Sequence, residues 1–110
     1  MAADFFLTQG DLVPSISMQL GNPDGTLPDL TGASIWLRYR PLNGDSTNEV
    51  LGVATIVGAP TNATVRYDWA VPDTATPGVL LADWKVTFVS GKTESFPSDG
   101  YLRIKIKAKP

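Results

Sequence analysis

The side chains able to do chemistry are few in this chain, and their spacing keeps them apart. There is no histidine and no cysteine. That removes the usual proton acceptor for a nucleophilic hydroxyl, all thiolate chemistry and every Cys-based zinc site. Ser90 and Lys92 come nearest to a nucleophile and base, but Ser90-Gly91-Lys92 reads as a tight hairpin tip where both are solvated. Glycoside hydrolysis needs two carboxylates opposed across a cleft. Here Asp11, Asp24, Asp29, Asp45, Asp73 and Asp99 fall in turn signals, where Asp shapes the local backbone. Asp68 and Asp83 fall on strand positions expected to face solvent. Asp24 and Asp29 flank one turn and suit calcium best, since that ion takes loop oxygens, but EF-hand spacing is missing. No glycine-rich phosphate loop is present. The expectation is a protein that is no enzyme and that binds no cofactor and no metal.

Binding chemistry is better represented. Trp36 lies on the strand face opposite Ile35 and Leu37, with Arg38 and Arg40 on the same side. Trp and Arg are the residues most enriched at binding hot spots. Arg103, Lys105, Lys107 and Lys109 alternate near the C-terminus and predict a basic ladder on one face. Lysines on a terminal strand also discourage unwanted edge pairing.

The elements that hold these residues follow from a period of two. In residues 80–88, Leu80, Ala82, Trp84, Val86 and Phe88 share one side, while Asp83, Lys85 and Thr87 share the other. Such alternation defines a strand with one buried face. The same reading places strands at 4–7, 15–20, 33–40, 49–57, 63–69, 79–89, 93–96 and 101–108. Ile16, Met18 and Leu20, then Val65, Tyr67 and Trp69, then Leu102, Ile104, Ile106 and Ala108 are expected inward. Asn22-Pro23-Asp24-Gly25, Asn43-Gly44-Asp45-Ser46 and Gly58-Ala59-Pro60-Thr61-Asn62 are turn signals. Gly52 interrupts a β-branched run and marks a bulge or a close backbone approach. Asp73-Thr74-Ala75-Thr76 is the one place for a short helical turn. Seven or eight strands at this spacing predict an all-β antiparallel sandwich.

The 110 residues suit a single domain, 1–110, with 1–8 able to serve as an extended N-terminal arm. Charged residues are 18% of the chain. That suits either a surface met by neighbours or a small β-domain faced with Ser, Thr and Asn. A net charge of −2 argues against nucleic acid as partner, and no run approaches the ~20 apolar residues of a membrane span. Met1-Ala2-Ala3-Asp4 lacks the pattern of a secretion signal, so synthesis in a host cytoplasm is expected.

The order of the turn motifs resembles one family. Gln9-Gly10-Asp11 precedes the first long strand, then come Asp29-Leu30-Thr31-Gly32-Ala33 with Ile35 and Leu37, and later Pro77-Gly78. Ala82-Asp83-Trp84-Lys85-Val86-Thr87-Phe88 follows, then Ser95-Phe96-Pro97 and Gly100-Tyr101. This is similar to the N-terminal domain of the phage baseplate upper protein family. The resemblance implies an immunoglobulin-like sandwich and a structural role in a tailed-phage virion, with no catalytic residues. In that family further segments follow this domain, so the expectation is an accessory subunit of tail, baseplate, neck or capsid surface. Its partners would be other virion proteins and further copies of itself. Phe5, Phe6, Trp36, Arg38, Arg40, Arg103, Lys105 and Lys107 are the expected partner contacts. The alternative is a carbohydrate- or host-surface-binding module that stacks sugars on Trp36.

Overall fold

The computed structural model describes residues 4–22, 24–42, 49–96 and 101–109. The expectations for Pro23, for the 43–46 loop and for 97–100 lie outside the described residues. Eight strands follow in order: β1 (Asp4–Thr8), β2 (Ile16–Gln19), β3 (Ser34–Pro41), β4 (Val50–Ile56), β5 (Thr64–Tyr67), β6 (Gly78–Thr87), β7 (Thr93–Phe96) and β8 (Leu102–Lys107). Among the described residues there is no α-helix. Among the described residues short 3-10 turns occur at Pro60–Asn62 and Val71–Thr74, the latter two residues earlier than the sequence suggested.

Strand neighbours run β1-β8-β6-β3-β4-β5-β2, with β7 also on β6. The strands form a β-sandwich: β2, β5 and the end of β4 supply one layer, and β3, β6, β8 and the start of β4 the other. The first strand lies beside the last rather than beside the second. Among the described residues that pair, β1 with β8, is the one parallel pairing; the others are antiparallel. Residues 4–8 are therefore part of the sheet, not a free arm, because Leu7 inserts into the core. Nor is β8 an edge. It lies between β1 and β6, so its lysines guard no open strand.

β4 joins the layers. Its residues Val50 to Ala54 pair with β3, and Thr55 and Ile56 pair with β5. The result is a sandwich nearly closed into a barrel. The inward positions fill as the alternation requires: Leu37, Trp84, Val86, Val65, Ile104, Leu20 and Leu30 are fully buried. Each such side chain stabilises the fold by about 1.5–3 kcal/mol relative to exposure. Ala108, expected inward, is exposed because β8 has already ended at Lys107.

Gly52 is buried on β4, and the Tyr67 ring from the opposite layer sits on it. A Cβ there would clash with the Tyr67 ring and its hydroxyl, so the close-approach reading of this glycine holds. Gly52→Ala is expected to cost about 1–3 kcal/mol in urea unfolding, the usual penalty of overpacking. Gly21→Ala, where nothing lies within 4 Å, should stay within about 0.5 kcal/mol of the wild type.

Candidate functional site

Strand register gathers the candidate residues on one surface. Trp36, Arg38 and Arg40 of β3 pair with Lys85, Asp83 and Leu81 of β6. Leu81 and Val79 pair with Arg103 and Lys105 of β8, which pair with Asp4 and Phe6 of β1. On the other side Trp36 and Arg38 pair with Val53 and Leu51 of β4. Paired residues point to the same face, so all of these share the outer face of the larger sheet. Every expected contact except Phe5 is here. Phe5, next to Phe6 and of opposite parity, turns inward, and its ring lies 6.2 Å from that of Trp69.

The face is cationic. Arg38, Arg40, Lys85, Arg103, Lys105 and Lys107 hold six of the chain's nine basic residues, against Asp4, Asp83 and Glu49. It is also partly apolar: Phe6 is 65% exposed and Val53 76%. Three cations cover aromatic rings, Lys85 Nζ over Trp36 at 5.8 Å, Lys105 Nζ over Phe6 at 5.5 Å and Arg40 over Tyr101 at 6.0 Å. Lysine and arginine can lay apolar stems on such rings while their charged heads stay wet. Lys105 Nζ also lies 3.1 Å from Asp4.

Asp83 corrects an expectation. It points to the outer face, yet it is only 4% exposed. Arg38 covers it with a two-pronged contact, Nε to Oδ1 at 2.8 Å and Nη2 to Oδ2 at 2.7 Å, and Nη2 also reaches Ser95 Oγ at 3.1 Å. Fork-on-carboxylate pairing is the strong form of this bond, and it raises the Arg38 pKa above its ordinary value. Arg38 is thereby fixed on Asp83, while Arg40, Leu81, Glu49 and Tyr101 surround a shallow hollow of about 410 Å³ beside it.

The other polar cluster faces inward. The Tyr39 and Tyr67 hydroxyls each donate to one oxygen of Asp73 at 2.6 Å, and the Ala70 N–H donates to Oδ2 at 2.7 Å. Asp73 thus shapes its turn, as expected, but it also ties β3 and β5 together. Burial, then the hydrogen bond to Asp73, pushes Tyr67 up to about 12 and Tyr39 higher still. Both phenols are donors locked onto a carboxylate whose two oxygens are engaged. The cluster is a brace rather than acid–base machinery.

Asp24 and Asp29 each shape their own turn. Each carboxylate accepts from a threonine two residues on, Thr26 and Thr31, through both backbone N–H and hydroxyl. These hydroxyls, then the amides, lower both pKa values. Among the described residues no group of three or more acidic side chains is placed to hold a metal ion.

Sequence reasoning missed Leu51, Val53, Lys85 and Tyr101 as members of this face. The signal for Leu51 and Val53 was present: once Gly52 and Ala54 face inward, the apolar residues beside them must face out. The Arg38–Asp83 pair had no such signal, because it depends on β3 lying beside β6.

Arg38→Ala strands a nearly buried carboxylate. The expected loss is about 2 kcal/mol, below the full buried-pair value because Arg38 is 30% exposed. Replacing both residues, Arg38→Met with Asp83→Leu, should recover most of it in the same denaturant series. The raised tyrosine pKa values make a second prediction. The unfolded chain's tyrosines ionise near pH ~10, so the brace contributes fully below that and is lost as pH climbs through about 12 and beyond. Thermal melts from pH 7 to 12 should fall only above about pH 10, and Asp73→Asn should flatten that fall. No protein-family model, curated protein or solved structure matches this chain, so the role of the face rests on its own residues.

Proposed function

We propose that this chain is a non-enzymatic structural protein of a tailed-phage virion, docking onto neighbouring virion proteins through the outer face of its larger sheet. The observation that carries the docking role is that single face. It joins exposed Phe6, Leu51 and Val53 to a cationic ladder and to rings capped by lysine and arginine. Interfaces combine apolar anchors with arginine in this way.

The virion assignment comes from the motif resemblance, and the residues carrying it have scaffold roles. Asp29 accepts from Thr31, Leu30 is fully buried, and Gly32 turns the chain with φ of 73° into β3. Phe96 is 2% exposed and anchors β7 in the core. Shared motifs of this kind specify a fold more than a partner. The carbohydrate reading has less support. Trp36 is half-buried, and Lys85 already lies over its ring, so a stacking sugar would have to displace the lysine.

Imaging of virions made by a phage encoding this chain tests the proposal. The expected result is density for an 11.8 kDa β-domain in repeated, symmetry-related copies, absent from particles of a deletion strain. Purified particles free of the chain would end it.

A further inference from the structure

Beside β1 the outer face carries an apolar groove of about 620 Å³. Phe6, Val13, Pro14 and Val79 line it together with Lys105, Lys107 and Asp11. Phe6 and Val13 are 65% and 73% exposed, large apolar surfaces left open next to two ammonium groups.

The chain has a loop of the opposite character. In residues 24–29, Leu27 is 43% exposed and stands between Asp24 and Asp29. The loop is already ordered. Asp24 Oδ1 accepts from Thr26 N and Oγ1 at 3.0 and 2.6 Å, Asn22 Nδ2 reaches Thr26 Oγ1 at 3.0 Å, and the Asn22 and Thr26 backbones pair at 2.8 Å. Asp29 is held in the same way by Thr31. A pre-ordered loop loses little entropy on docking. Its hydrogen bonds also keep both carboxylates charged further into acid.

The loop cannot reach its own groove. It leads into β3 at Ser34, which pairs with Thr87 at one end of β6. The groove lies at the other end, where Gly78 pairs with Ile106 and Val79 with Lys105. Ten residues of strand separate the two, about 30 Å.

We propose that the groove receives the 24–29 loop of a second copy of this chain, with Leu27 against Phe6 and Val13 and with Asp24 and Asp29 facing Lys105 and Lys107. Each copy then offers a loop at one end and a groove at the other. Such head-to-tail contacts close into a ring or extend as a filament, which suits a repeated virion subunit. The inference rests on reading the outer face as a docking surface.

Sedimentation of the full chain tests it, in a dilution series up to about 1 mM, where a contact of millimolar Kd is half-formed. The expected result is oligomers that dissociate on dilution and in high salt, where surface charges are screened. The groove variant Lys105→Glu/Lys107→Glu and the loop variant Asp24→Lys/Asp29→Lys should each associate about tenfold more weakly or not at all. Mixed, they should form a heterodimer, because each retains the half that the other has lost. Val13→Asp and Leu27→Asp repeat the test at exposed positions, so that loss of assembly is separable from loss of fold, with circular dichroism as the check. A wild type that stays monomeric throughout, variants that assemble like it, or folded variants that do not pair would overturn the inference. If virion imaging succeeds while the chain stays monomeric, the docking role survives and the self-assembly does not.

Discussion

The joint between the two layers depends on the space above one missing side chain. At Gly52 the fourth strand still pairs with β3, opposite Leu37, and three residues later, at Thr55, it pairs with β5. The Tyr67 ring from the second layer fills that space. Its hydroxyl reaches Asp73, which also takes the Tyr39 hydroxyl from the first layer. Trp69 packs edge-on to both tyrosines, at 5.3 Å from Tyr67 and 6.2 Å from Tyr39. A strand that changes layers must bend, and the bend has to be filled from across the core. Here one aromatic ring and one carboxylate do both. Any residue larger than glycine at position 52 would push Tyr67 off Asp73 and loosen the turn that leads into β6.

With the inner layers joined in this way, the larger sheet is free to present an outer face that contributes little to the core. Arg38 and Asp83 show what that face requires locally. The carboxylate is stable near burial because a fork of two N–H groups satisfies it, and the guanidinium is thereby fixed in place. Lysines over Trp36 and Phe6 reduce the exposed aromatic area without withdrawing charge from water. The surface is neither fully polar nor an open apolar patch, a mixture found in interfaces that form and separate.

Much of the fold was legible because alternation is a strong signal. β7 was expected at the bounds it has, and β3, β6 and β8 fell within about two residues of theirs. The buried set Ile35, Leu37, Tyr39, Trp84, Val86, Ile104 and Ile106 follows directly from parity. What alternation cannot supply is which strands are neighbours. The reading of the C-terminal lysines as edge guards failed for that reason, since β1 covers β8. Phe5 and Phe6 show the same limit. The sequence requires one ring in and one out, but Leu7 decides which, by sharing the inward parity of Phe5. The burial of Asp83 was missed because it depends on Arg38 from a strand 45 residues earlier.

The pairing of the first strand with the last has a kinetic side. Asp4 finds Arg103 and Thr8 finds Lys107, so this seam joins opposite ends of the chain and carries the largest loop-closure entropy in the fold. During synthesis on a ribosome, β1 emerges first but has no partner until β8 has followed. For that interval Phe5 and Leu7 lack their native cover, and the nascent chain carries an apolar segment open to chaperones or to misassociation. Of the eight described strands, the first is thus the one obliged to wait longest.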